Sequence, residues 1–303
     1  ASHVQAIGKG FPGQLGVFSD DHLDGLMRLS KEIKANDSIA ICQLHHAGMR
    51  SPEDLIGQRP VCPSDNEEFN ARALSTREVE RLRDDFIEAA IRSEKAGFDG
   101  AELHCAHGYI LAQFLSPEIN KRNDQYGQSL SNRSRLLYEI IDGIREVCNN
   151  EFIIGVRLSP ERFGLKLNEI TSLAEELMMS KKIEFLDMSL WDVFKEPEEE
   201  EFKGKKLISY FTELKRGNTK LGVAGSIKTP GDSEKTIDEG VDLVMLGRAA
   251  ILQHNFPKLY EADSSFSPVQ APVSKEYLRN EGLSDKFIQY AGNWKLTKKP
   301  RKA

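Results

Sequence analysis

Gly100-Ala101-Glu102-Leu103-His104-Cys105-Ala106-His107-Gly108-Tyr109 is the stretch on which the architecture turns. Gly100 to Cys105 is a mostly apolar run of strand length. Ahead of it, Thr76 to Ala96 has helical spacing, with Ser75 as N-cap, Glu78 at the capping-box position and Gly97 as the stop. Behind it, His104, His107 and Tyr109 gather where the strand ends. Helix, buried strand and a polar cluster at the strand's C-terminal end make one βα unit with chemistry at its tip.

The same alternation runs outward in both directions. Further apolar runs lie at Ser38 to Leu44, Phe152 to Leu158, Phe185 to Leu190, Leu221 to Ala224 and Asp242 to Leu246, with a stub at Ala1 to Val4. Strands this apolar suit a parallel sheet buried on both faces. Helices are expected at Asn132 to Cys148 and Glu169 to Ser180 between them. With Gly100 to Cys105 the strand signals number seven, one short of a closed TIM (β/α)8 barrel, and the missing strand and first helix are expected upstream of Ala1. A doubly wound open sheet is the rival, but no GxGxxG turn follows a first strand, and Gly8, Gly10 and Gly13 read as a loop. The expectation is one α/β domain over 1–303, barrel to about 257 and a C-terminal extension from 258.

Four other stretches stand out. Met49 to Asn70 is a long polar excursion after a strand, where barrel enzymes build active-site walls. Glu196 to Glu201 reads as a solvated loop face, because like charges in a row do not converge without a cation. Val273 to Trp294 reads as an added helix, packed on the barrel or on a neighbouring subunit of a homo-oligomer, and the basic tail Lys295 to Ala303 as frayed.

At 303 residues and 39% hydrophobic content the chain can bury a large core. A net charge of -6 spread along the sequence marks out no surface for nucleic acid. No run is long enough for a membrane helix and the N-terminal residues lack a signal-peptide core, so a soluble, cytoplasmic protein is expected. The four cysteines, Cys42, Cys62, Cys105 and Cys148, form no CxxC pair and read as reduced, mostly buried thiols.

His104, His107 and Tyr109 supply two imidazole donors and a phenolic acid, a set that can grip an anionic or carbonyl oxygen while protonating a neighbour. The bland alternative is a satisfied core histidine and a packing tyrosine, which Gly108 and the loop position do not favour. A zinc hydrolase or lyase built on His45, His46, His104 and His107 is a further alternative, but only Asp187 tempts as its carboxylate ligand.

Gln43-Leu44-His45-His46-Ala47-Gly48, then His104 to Tyr109 with Phe114-Leu115-Ser116-Pro117, then Tyr126-Gly127 with Asn132-Arg133-Ser134-Arg135, resemble the Old Yellow Enzyme family in its NADH-dependent flavin oxidoreductase branch. Val156-Arg157-Leu158-Ser159, Ala224-Gly225 and Leu246-Gly247-Arg248 follow in the family's order, so the resemblance runs from Ala1 to about Pro257. It implies FMN as cofactor, NADH or NADPH as reductant, and a small electrophile such as an activated alkene as substrate. It implies that Ala1, Gln43, Arg157, Gly225, Gly247 and Arg248 bind FMN, with Ala1 as the small residue beside the flavin, Gln43 and Arg157 at the ring's polar edge and Gly225, Gly247 and Arg248 at the phosphate. His104 and His107 would hold the substrate oxygen and Tyr109 would give a proton. Departures are Met49 where an arginine is usual, Gln128 where a second glycine is usual, and the absent first strand, which leaves open a fragment that has lost flavin binding. Trp191 could wall the pocket or be a rim residue.

Overall fold

The computed structural model describes residues 1–297, the side chain of Asn293 excepted. Seven parallel strands form one sheet in chain order: β1 (Ser2–His3), β2 (Ile41–His45), β3 (Gly100–Cys105), β4 (Ile153–Leu158), β5 (Phe185–Ser189), β6 (Lys220–Ala224) and β7 (Leu243–Val244). Every neighbouring pair is parallel, so each connection has to cross over rather than turn back. Helices α1 (Leu23–Lys34), α2 (Thr76–Lys95), α3 (Leu130–Val147), α4 (Leu167–Met179) and α5 (Pro230–Asp238) fill these crossovers. Only β5 to β6 uses a shorter piece, Ser209–Thr212. Among the described residues β1 and β7 do not pair with each other, so this is the sheet of a TIM barrel with its first and last strands as edges.

Period-two alternation sorts the strand residues onto two faces. Leu44, Leu103, Val156, Leu186 and Val223 share one face and join the core with Leu82 and Phe86 of α2, Leu137 and Ile140 of α3, and Leu173 and Leu177 of α4. On the other face lie Gln43, Glu102, His104, Arg157, Asp187 and Ser189, which makes the barrel's interior unusually polar. The capping box read at Ser75 is formed, with Ser75 accepting from the Glu78 backbone and Glu78 returning the bond.

Several expectations need correction. Val273 to Trp294 is not one helix: Lys275–Asn280 and Asp285–Ala291 are separated at Gly282, whose φ of 84° a continuing helix forbids, and Ser284 caps the second piece. Both helices pack on their own chain, joining Leu252 in a second apolar cluster, while Tyr290 stacks on Phe11 at 4.5 Å. The tail is not frayed through Thr297, because Leu296 is buried and Thr297 bridges Val273; the remainder, 298–303, lies outside the described residues. Met49 to Asn70 carries a short helix, Glu53–Ile56, and Val61–Cys62 pairs with Arg72–Ala73 beyond it. In the acidic run, Glu198 pairs with Arg162 and Glu199 accepts from the Leu167 backbone, so the loop is pinned rather than only solvated. All four cysteines are free and buried, and no helix among the described residues is long and apolar enough to cross a membrane.

Candidate active site

At the end of β3 the chain turns through two left-handed residues, His107 at φ 59° and Gly108 at φ 70°, before entering the helix Ile110–Leu115. A Cβ on Gly108 would meet the Phe163 ring at 2.7 Å, so glycine is needed here for space as well as conformation. This turn folds His107 and Tyr109 back over the strand end. The rings of His104 and His107 lie 5.0 Å apart, those of His104 and Tyr109 5.2 Å, and those of His107 and Tyr109 6.2 Å. His45 joins them from β2, 4.3 Å from Tyr109 and 5.5 Å from His104. Arg50, next to the departing Met49, reaches the same cluster: its guanidinium lies 5.7 Å from the Tyr109 ring and donates to the His107 carbonyl at 3.3 Å.

Ser189 at the end of β5 links this cluster to the charged interior. It contacts His107 Nε2 at 2.7 Å and accepts from Arg157 Nη2 at 3.5 Å. A hydroxyl has one donor and two acceptor sites, so Ser189 can accept from arginine and still serve either tautomer of His107. The Ser159 hydroxyl oxygen takes the His107 backbone N–H at 2.9 Å, which fixes the turn. Arg157 Nε lies 3.0 Å from Asp187 Oδ2, across the β4–β5 register. That contact is an ion pair without a well-aimed hydrogen bond, since Arg157 Nε and Asp187 Oδ1 are both buried without a partner.

Burial sets the protonation of these groups. It pushes His107 down to about 4, helped by the positive charges of Arg157 and Arg50. His104 is pushed well below its ordinary value by burial and then by His45 and His107, and His45 by burial and then chiefly by His46. The imidazoles are therefore neutral donors rather than acids near neutral pH. Glu102 behaves oppositely, pushed up to about 7 by burial and by Asp187 against the pull of Arg157.

A cavity of about 760 Å³ opens on this polar interior, with His107, Arg157, Ser189 and Trp191 on its wall. Gly225, Gly247 and Arg248 line the same cavity from the loops after β6 and β7, and Trp294 from the C-terminal segment. Gly225 has φ 156°, and a Cβ there would meet Trp191 backbone at 2.9 Å. Around Gly247 a Cβ would meet nothing within 4 Å, so backbone faces open cavity there. Arg248 is exposed and has no carboxylate partner among the described residues.

Five of the nine residues singled out from sequence, His107, Arg157, Gly225, Gly247 and Arg248, thus share one cavity. His104 and Tyr109 belong to the ring cluster beside His107. Gln43 and Ala1 are not on that wall: Gln43 donates Nε2 to Glu102 and joins through it the Arg157–Asp187 pair, while Ala1 stands exposed ahead of β1. The sequence reading missed Glu102 and Ser189, and gave His45 a role only in the zinc alternative. Their signal was alternation, which puts them on the face of Gln43, His104 and Arg157. The zinc alternative finds no support, because among the described residues no three His, Cys, Asp or Glu side chains are grouped to hold a metal. His46 is spent on structure, receiving the Gly48 N–H at 2.9 Å and meeting Gln5 at 3.0 Å.

The donor set fits a flat, phosphorylated ring. Partnerless buried Nε of Arg157 belongs to a residue of the cavity wall, with partnerless ring nitrogens of His104 and His45 in the ring cluster beside His107, and the same cavity is lined by bare backbone at Gly247 and by Arg248, which has no carboxylate partner among the described residues. Residues 1–263 match the model of the NADH:flavin oxidoreductase / NADH oxidase family. A probable NADH-dependent flavin oxidoreductase of Bacillus subtilis (strain 168) is 34% identical over 266 residues, covering 84% of this chain and 71% of that protein. The NADH:fumarate oxidoreductase of Klebsiella pneumoniae (strain 342) is 33% identical over 82% of this chain, which spans only 28% of that longer protein. In structure, the old yellow enzyme homologue from Zymomonas mobilis superposes with a TM-score of 0.76 at 25% identity, over 91% of this chain and 81% of its own.

Proposed function

Since the chain belongs to the NADH:flavin oxidoreductase / NADH oxidase family, whose fold and cofactor are those of the Old Yellow Enzymes, we propose that it reduces small activated alkenes and similar electrophiles at the cavity bounded by His107, Arg157 and Arg248. The chain is an FMN-dependent oxidoreductase that uses NADH or NADPH. Bound FMN supplies the hydride chemistry, taking hydride from the nicotinamide and passing it to the second substrate. The observation that carries the reading is the single cavity onto which a half-buried guanidinium, a neutral imidazole and two glycine loops open together.

In this reading Gln43 and Arg157 hold the polar edge of the ring. Arg157 places positive charge where reduction adds negative charge. Gly225 and Gly247 let backbone N–H groups come close to the phosphate, and Arg248 pairs with it. His104, buried, and His107, half-buried, are both neutral and donate to the carbonyl or nitro oxygen of the substrate, drawing electron density from its double bond. Tyr109 gives its phenolic proton to the carbon that does not receive hydride, so hydride and proton together saturate the alkene. The neutral state of the histidines suits this role, and His104 Nδ1, which has no partner in the protein, has its hydrogen-bonding capacity left for substrate. The four free, buried thiols support a reducing compartment, the cytoplasm.

Anaerobic half-reactions test the proposal. The FMN-loaded protein should be bleached by NADH or NADPH and recoloured by an α,β-unsaturated ketone without oxygen. Bleaching with no recolouring by any activated alkene would contradict the assigned substrate class.

A further inference from the structure

β2 and β3 set Gln43 directly beside Glu102 in register, and Gln43 Nε2 donates to Glu102 Oε2. Glu102 is 7% exposed and sits in the middle of a buried polar layer. A glutamine amide has a donor end and an acceptor end of almost the same shape, and either can face a ligand. An ionised carboxylate only accepts, so it captures the donor end. Oε1 of Gln43 is then the end left over, and it has no hydrogen-bond partner among the described residues.

We propose that Glu102 is a positioning residue for the flavin: by holding Nε2 of Gln43 it presents Oε1 as an acceptor for the ring N–H of the pyrimidine edge, and it does so only while ionised. The inference rests on the reading above that Gln43 holds that edge. The pyrimidine edge of an isoalloxazine carries one N–H between two carbonyls, so an acceptor meets its centre and a turned-over amide would set donor against donor.

The surroundings of Glu102 make this hold depend on pH. Asp187 from β5, Arg157 from β4 and Gln43 from β2 all face it. Burial and Asp187 push the carboxyl up to about 7 while Arg157 and Gln43 pull it down. Once protonated, Glu102 can also donate to Oε1, and the amide loses its enforced direction. FMN affinity should therefore fall as pH drops through that value.

The test is FMN binding, followed by quenching of flavin fluorescence, for the wild type, Glu102→Gln, Gln43→Ala and the double variant. Wild-type affinity should weaken about tenfold between pH of about 8.5 and about 6, the size of one charge-assisted hydrogen bond. Glu102→Gln should bind about tenfold more weakly at the upper pH and lose that dependence. The phosphate's own titration near pH of about 6 is common to all variants, so the difference between wild type and Glu102→Gln reads the carboxyl. In the Gln43→Ala background the Glu102→Gln substitution should change nothing further, whereas with Gln43 intact Glu102→Asp should keep the pH slope that Glu102→Gln loses. A merely structural carboxyl would lower the melting temperature and leave the slope alone. Wild-type affinity and slope in Glu102→Gln, or an equal effect with and without Gln43, would overturn the inference. Wild type that binds no FMN at any pH would instead overturn the flavin reading itself, and this inference with it.

Discussion

The residues to which we assign the chemistry are ordinary groups made unusual by where the strands end. His104 and His107 differ in sequence by three positions, yet one lies near the end of a strand and the other within the left-handed turn that follows, so their rings converge at 5.0 Å. Replacing both, His104→Ala with His107→Ala, should leave FMN bound and weaken phenol binding by about 1–3 kcal/mol, the loss of two hydrogen bonds to an anionic oxygen. Isothermal titration of the FMN-loaded variant checks this, and unchanged phenol affinity would remove the histidines from the substrate site. These two histidines, Tyr109 and Arg157 were legible in sequence because each stands at a strand end in a short ordered motif. Ser189 and Glu102 were not, because their work depends on cross-strand neighbours. Arg157 meets Asp187 and Gln43 meets Glu102 only through the register.

At the scale of elements, sequence pattern served strands better than the C-terminal segment. All seven apolar runs are strands, and their limits shift by a few residues where the pairing starts or stops, as at Ile41–His45 against the expected Ser38 to Leu44. The capping box at Ser75 was legible because both of its partners lie within one helical turn. The region from Val273 onward was not, since its helical spacing continues across Gly282 and only the left-handed φ there breaks it. The loop after β6 offers a direct test of element geometry. Gly225→Ala would put a Cβ 2.9 Å from Trp191 backbone at a φ of 156°. It should destabilise the fold by about 1–3 kcal/mol and weaken FMN binding, whereas Gly247→Ala, facing open space in the protein, should cost little stability and still weaken FMN. Thermal melts with and without FMN separate these outcomes, and equal behaviour of the two variants would contradict the division of roles.

For the whole molecule, the polar interior makes stability depend on pH. His46 is held down to about 3 and His107 to about 4 in the folded state against 6.5 when free, and His45 and His104 are lowered as well. Groups with depressed folded values bind more protons unfolded, so their contribution is complete above 6.5 and is lost as pH falls toward 4. Glu102 opposes this, since its raised value favours the folded state below about 7 and that benefit fades as pH rises through it; Asp187 is raised in the same sense. Four imidazoles outweigh two carboxyls, so the apoprotein should melt at lower temperature at pH of about 5 than at about 7.5, by a few kcal/mol in stability, roughly 1.4 kcal/mol per group and pH unit before compensation. A flat melting profile across that range would show that these histidines are not buried neutral. The barrel itself was legible from the spacing of its βα units, while the way the C-terminal segment brings Trp294 to the cavity wall depended on long-range packing that no local pattern encodes. The most direct single measurement is the visible spectrum of the purified chain titrated with FMN: one flavin per chain, with a perturbed spectrum that Arg157→Met and Arg248→Ala each weaken, is the expected result, and free-flavin absorbance at every ratio would contradict the shared cavity as a flavin site.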